Sequence, residues 1–478
     1  MIITDDLSQQ DVAQARYRGL TYVCTAFACA GVLTFMSALW SQSVGLGILG
    51  LAVAGTFALG KKLFESLESP TSLSRAHVEG AKTLSLVAPQ KHDGVPIGNA
   101  RMPERMEPLH TLIEGATGTG KTQLLKQMVD YLRKRGDTIV VVDTGYDLHR
   151  TFGQANDVVL SPFDPASPGW MPQNEVRAPT DWNALAETLI PQGEGSAKEW
   201  NAMARAMFAG VCRGYQKTVK DAGEKFDAAD LFHLLTAAPV SVVAPFLAGS
   251  AAASLAENEK GLTNVRMSFF DALGFWQDLK PGNFSVRDWV VSSDRPSIFI
   301  PHTKRTLPAS RTLIATWLDQ IITEVCDQGE NRNNRVWIII DELSSLGRIP
   351  ALESAVTELR KTGFRVVCGI QNYEQVEQRY TRTGAVTISN NLSNKVILRA
   401  NNEVAAERAS KLIGDARHRI TTRGSSGQGT STNVQETVER VVLPSQILAL
   451  PDLHAFVRLA GAEQTLDTKI PVFGKGYQ

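Results

Sequence analysis

The chain has 478 residues, enough for two or three domains and at least one large buried core. Its composition, 43% hydrophobic and 21% charged, is that of an ordinary globular protein. Lys plus Arg and Asp plus Glu each number 49, and this neutrality argues against a monomer that coats nucleic acid while leaving room for local phosphate contacts.

In chain order, the first feature is residues 19–60, which hold no Asp, Glu, Lys or Arg. One helix of that length would rise about 60 Å, twice the roughly 30 Å hydrocarbon core of a bilayer, so the segment has to fold back. Ser41-Gln42-Ser43 is the turn, leaving spans at about 20–40 and 44–60, the second short and Gly-rich as suits close helix packing. Arg16 and Arg18 precede the first span and Lys61 and Lys62 follow the second, which puts both termini in the cytoplasm. A cleaved signal peptide would have one shorter apolar core and no second span. The expectation is a two-helix transmembrane hairpin in a bacterial inner membrane. The five cysteines, Cys24, Cys29, Cys212, Cys326 and Cys368, form no CxxC or Cys/His cluster and fit a reducing compartment.

After a polar connector, short apolar runs begin near Val95. "LHTLIEG" (109–115) predicts a strand, "KTQLLKQMVDYLRKRG" (121–136) an amphipathic helix closed by Gly136, and "TIVVVD" (138–143) a strand buried on both faces. From about Asp181 the pattern turns helical for over a hundred residues, with helices predicted in "TDWNALAETLI", "AKEWNAMARAMFAGVCRGYQK", "FDAADLFHLLTAA" and "VRMSFFDALGFWQDL". Alternation resumes with strands at 296–302, 335–341, 364–371 and 394–400 and helices at about 308–327 and 350–361. The polar stretch 421–433 is predicted as the loop at the tip of a hairpin. The parse is a hairpin (1–70) and a nucleotide-binding α/β domain in two parts (71–180 and 291–478). An all-α domain (181–290) is inserted between them.

Gly115-Ala116-Thr117-Gly118-Thr119-Gly120-Lys121-Thr122 fits GxxxxGK[ST] in full, between a predicted strand and a predicted helix. In that loop backbone N–H groups turn inward around ATP phosphates, Lys121 bridges the β- and γ-phosphates and Thr122 ligates Mg²⁺. The strand "VWIIIDEL" supplies the acidic partner: Asp341 to hold Mg²⁺ and Glu342 to orient or deprotonate the attacking water. Asp143, which also ends a strand, is the alternative Mg²⁺ partner, but no second carboxylate follows it. In "LRKTGFRVVCGIQ", Gln371 stands at a strand end where an amide can sense the γ-phosphate. Arg360 is placed to act as an arginine finger in a neighbouring subunit. "GSSGQG" (424–429) is similar to the signature loop of ABC transporters, but that loop precedes the acidic strand and opens a helix, so the likeness is set aside.

The two-span anchor, "GATGTGKT", the helical insertion, "IIIDELSSLGRIPAL", "LRKTGFRVVCGIQ" and "RVVLPSQILALPDLHAFVRLAG" together resemble the coupling proteins of conjugative type IV secretion systems, relatives of the hexameric DNA translocases. The resemblance covers nearly the whole chain. It implies a RecA-like P-loop domain in a homo-hexameric inner-membrane ATPase that receives a relaxase-bound single strand and drives it to the secretion channel. It also implies contacts with membrane lipid and with channel components. Two departures stand out: the loop between the spans is only a few residues, and the chain ends soon after its last strand without the long acidic tail of some relatives. Cargo recognition then falls to the helical insertion by position. The residues alone leave open a same-fold motor for protein effectors and a nucleotide-switched receptor, although a pure switch needs neither Glu342 nor Arg360. A chromosome translocase is disfavoured by the lack of a long linker and a C-terminal winged helix.

Overall fold

A computed structural model describes residues 94–474 apart from 194, 196, 427, 428 and 463. The two predicted spans, 20–40 and 44–60, lie outside the described residues. Among those described, no single helix is long and apolar enough to cross a membrane.

The described residues open with a short antiparallel ribbon, β1 (Gly94–Ile97) and β2 (Ala100–Pro103). The main nine-stranded sheet is then built by β3 (Thr111–Glu114), β4 (Thr138–Thr144), β5 (Val158–Val159), β6 (Ile298–His302), β7 (Val336–Ile340), β8 (Phe364–Ile370), β9 (Asn394–Ile397), β12 (His454–Arg458) and β13 (Thr465–Lys469). Their order is β13-β12-β9-β3-β8-β7-β4-β6-β5. From β9 to β5 every pairing is parallel, and β12 and β13 add antiparallel strands beside β9. The parallel part is covered on both faces, so the central strands β4 and β7 carry unbroken apolar runs, 139–142 and Val336–Ile340. Alternate residues divide between two cores: Val140, Val142, Ile338 and Ile340 enter one, and Ile139, Val141, Trp337 and Ile339 the other.

Helix α1 (Lys121–Arg135) follows β3 and ends at Gly136, whose φ of 84° needs a residue without Cβ. A short helix, α2 (Asp147–Phe152), follows β4. Between β5 and β6 come α3 (Asp181–Leu189), α4 (Ala197–Ala222), α5 (Ala228–Thr236), α6 (Val240–Leu247), α7 (Glu259–Ala272) and α8 (Val286–Val291). Their apolar faces continue the core of one sheet face through Trp182, Phe208, Phe269 and Trp276. The helix predicted in "VRMSFFDALGFWQDL" starts earlier and stops earlier. Asn258 caps it by accepting from Gly261 N at 2.8 Å, and the chain turns at Leu273 to bury Phe275 and Trp276.

Helices α9 (Leu307–Asp327), α10 (Pro350–Thr362), α11 (Tyr373–Asn391), α12 (Glu403–Ile413) and α13 (Pro444–Leu448) complete the fold. The loop expected at 421–433 is narrower than predicted: β10 (Asp415–Ser426) and β11 (Gly429–Arg440) run through most of it as a two-stranded sheet.

Candidate nucleotide-binding site

In this topology β3 feeds the glycine-rich loop, β8 lies beside it and β7 lies beside β8. The parallel register therefore brings three strand ends to one edge of the sheet: Glu114 pairs with Ile370, and Ile340 pairs with Cys368. Close approach is built in at Gly369, where a Cβ would lie 2.0 Å from the Asp341 carbonyl oxygen. Gly115 is equally confined, since a Cβ there would stand 2.6 Å from that of Leu398.

The loop curls through Gly118 (φ 80°) and Gly120 (φ 118°), conformations that L side chains rarely adopt. It is pinned from outside by Ala116 N donating to Arg399 O at 2.8 Å and by Leu453 N donating to Thr119 O at 2.9 Å. Thr119 Oγ1 donates to Ala116 O at 2.8 Å across the bend. Thr122 stands half-buried in the first turn of α1. The loop thus leads straight into a helix N-terminus, where backbone N–H groups favour an anion.

Lys121 is buried, and its ammonium donates to Gly115 O at 2.8 Å, with Ile370 O at 3.5 Å and Glu342 Oε2 at 3.8 Å. Burial lowers its pKa, while Glu342, Asp341 and Glu114 pull the other way. Asp341 is pushed up to about 6, chiefly by burial, with Glu342 and Asp143 adding repulsion and Lys121 opposing it. Glu342 Oε1 accepts from Ser344 Oγ at 2.5 Å and from Gln371 N at 3.4 Å, whereas its buried Oε2 has no hydrogen-bond partner. Gln371 reaches the loop as well, its Oε1 accepting from Thr117 Oγ1 at 2.5 Å. Lys121, Asp341, Glu342, Gln371 and the loop 115–122 are therefore one cluster.

Asp143 is differently engaged. Its two carboxylate oxygens accept from Leu148 N (3.2 Å) and His149 N (2.8 Å), so it caps the start of α2. Arg360 lies in the last turn of α10, exposed, at the opposite edge of the sheet where β8 begins. Seven residues of β8, about 20 Å, separate that edge from Gln371, so Arg360 is outside its own chain's site. Arg365 is buried at that same far edge, its Nε on Glu107 Oε2 at 3.2 Å. Sequence reasoning missed Ser344, Arg399 and Leu453. Ser344 stood two residues past Glu342 as a visible hydroxyl, but nothing local marks Leu453, which arrives from far along the chain with a φ of 62°.

A glycine loop leading into a helix, an acidic strand end and a neighbouring strand-end amide define a P-loop nucleotide-binding fold of the α/β class. The family model for the type IV secretion-system coupling protein DNA-binding domain matches residues 94–471, and the chain belongs to that family. Coupling protein TraD of Escherichia coli (strain K12) is 26% identical over 486 residues, which is 96% of this chain and 67% of that protein. A conjugal transfer protein TraG of Escherichia coli is 23% identical, over 65% of this chain and 55% of its own length. Among solved structures, the unbound bacterial conjugative coupling protein TrwBdeltaN70 superposes with a TM-score of 0.73 at 31% identity, covering 81% of this chain and 91% of that one. TrwB in complex with ADP and Mg²⁺ gives a TM-score of 0.71 at the same identity, over 81% and 91%.

Proposed function

We propose that this chain is an inner-membrane, ATP-driven motor that couples a relaxase-bound DNA to a type IV secretion channel and pumps the single strand during conjugation. One observation carries the reading: in a member of the coupling-protein family, the loop 115–122, Asp341, Glu342 and Gln371 meet at one sheet edge. The residues fit ATP and Mg²⁺. A buried ammonium rests on carbonyls it could leave for phosphate, and Asp341 stands among acids that a divalent cation would neutralise. Mg²⁺ in such a site would be held by one or two protein oxygens together with phosphate and water.

Lys121 and Thr122 are assigned to the phosphates and Mg²⁺, Asp341 to the metal, Glu342 to the water and Gln371 to sensing the γ-phosphate. Bound Mg²⁺ would neutralise charge on the phosphate oxygens. Arg360 is assigned to the neighbouring subunit's site in a homo-hexamer, which its distance from its own loop supports. The hairpin at 20–40 and 44–60 would anchor the ring in lipid with both termini cytoplasmic, and residues 181–290 would form the inserted all-α domain of the nucleotide-binding body (71–180 and 291–478).

The test is steady-state ATP hydrolysis by the full chain, with and without single-stranded DNA, beside Lys121→Ala. Lys121-dependent stimulation by DNA is the expected result. Hydrolysis indifferent to DNA would hand the cargo to proteins. Arg360→Ala should lower hydrolysis in the assembled protein and leave nucleotide affinity unchanged; an equal rate in wild type and variant rings would remove the trans role.

A further inference from the structure

Glu342 has two carboxylate oxygens in unequal surroundings. Oε1 is bound twice, by the Ser344 hydroxyl at 2.5 Å and the Gln371 backbone N–H at 3.4 Å. Oε2 is buried and lacks a hydrogen-bond partner, with the Lys121 ammonium too far at 3.8 Å to donate. A carboxyl group on a long side chain can rotate, and unless one oxygen is held the two exchange places. Ser344 is itself only 6% exposed and sits in the tight turn at Leu343–Ser345 directly after Glu342, so its hydroxyl has little freedom.

The hydroxyl carries a single hydrogen, and the Gln375 side-chain amide lies on its other side, its Oε1 at 3.2 Å. A carboxylate takes that hydrogen in preference to an amide carbonyl, because the charge-assisted bond is the stronger. Turning the Gln375 amide over, so that its NH₂ donates to Ser344 Oγ while Ser344 donates to Glu342 Oε1, satisfies all three groups.

We propose that Ser344 is a positioning residue for Glu342, clamping Oε1 so that Oε2 is the oxygen presented to the attacking water. This rests on the reading of Glu342 as the group that orients that water. In this role Ser344 acts only through the carboxylate. The effect therefore falls on turnover and not on nucleotide binding.

The experiment measures kcat and KM for ATP, and ADP affinity, for the full chain as wild type, Ser344→Ala, Ser344→Thr and Glu342→Gln. Ser344→Ala is expected to lower kcat about 10- to 100-fold, the worth of a hydrogen bond to a charged group, with KM and ADP affinity within about twofold. Ser344→Thr, which keeps the hydroxyl, should recover most of the rate. A Ser344→Ala enzyme at the wild-type rate beside an inactive Glu342→Gln would overturn the proposal. So would a loss of ADP affinity as large as the loss of kcat, or a Thr variant that folds and is as slow as Ala. If Glu342→Gln turns over as fast as wild type, the underlying assignment of Glu342 fails instead.

Discussion

The two edges of the parallel sheet both bury charge, and they treat it in opposite ways. At the edge where the strands begin, Arg135 bonds Glu107 at 2.7 Å and Asp137 at 2.5 Å, and Asp137 also accepts from Trp337 Nε1 at 2.9 Å. Arg365 reaches Glu107 at 3.2 Å and lies over the Trp337 ring, 5.8 Å from its centroid. Glu107 and Asp137 are both answered by a guanidinium, and Arg135, against the opposing effect of burial, is held above its ordinary range by these two acids. At the edge where the strands end, Lys121 rests on carbonyls, Asp341 is pushed up to about 6 and Glu342 Oε2 is unbonded. A fully satisfied network holds a fold together; an under-satisfied one is free to trade partners with a ligand.

Substitutions can break that contrast. Lys121→Ala should reduce ATP hydrolysis by at least about a hundredfold. Its unfolding midpoint should change little, because burial destabilises the ammonium and its nearest carboxylate oxygen, Glu342 Oε2, stands 3.8 Å away, too far for a hydrogen bond. A Lys121→Ala protein hydrolysing at the wild-type rate would remove the loop from the mechanism, and one that unfolds early would make the two edges alike. Glu107→Ala should do the reverse, costing about 3 kcal/mol by leaving the buried Arg365 without a carboxylate and Arg135 with Asp137 alone, while the folded protein binds ADP normally. Denaturant unfolding and ADP titration on the same samples separate the two results.

A smaller effect sharpens the picture of the quiet edge. His110 bridges α10 and β8 there: Val366 N donates to its Nδ1 at 3.1 Å, so its Nε2 carries the hydrogen bonded to Val356 O at 3.0 Å. Burial lowers its pKa from 6.5 to about 4, with Arg360 and Arg365 acting in the same sense. The unfolded chain then binds more protons between those values, so this residue's contribution favours folding above pH 6.5. It is lost as pH falls toward 4, by up to about 3 kcal/mol. Asp319, pushed up to about 6 by burial, works in the other sense and is common to wild type and variant. His110→Asn should therefore be less stable than wild type at pH 7 and lose less on acidification. Parallel pH curves for the two would show that the histidine is not a buried neutral group.

How much of this was legible beforehand varies with how local the cause is. The unbroken apolar runs in "TIVVVD" and "VWIIID" named both strands, because burial on two faces is written in consecutive residues. The end of α1 was readable from Gly136 alone. The end of α7 was not, since "LGFWQDL" is as apolar as a helix and only the pocket that receives Phe275 and Trp276 turns it. Residues 421–433 read as a loop because Gly and Asn carry weak strand preference and Ser favours turns, and cross-strand pairing overrode it.

By itself the sequence determined the phosphate loop, the acidic strand end and the strand-end glutamine, since each depends on a contiguous motif whose backbone geometry is local. Only the tertiary structure decided which of these meet. Parallel register sets Gln371 between the loop and Glu342, retires Asp143 to capping α2, and carries Arg360 to the far edge. It also brings Leu453 and Arg399 against the loop from hundreds of residues away. Such meetings are fixed by strand order and by the packing of two cores, which no window of neighbouring residues contains.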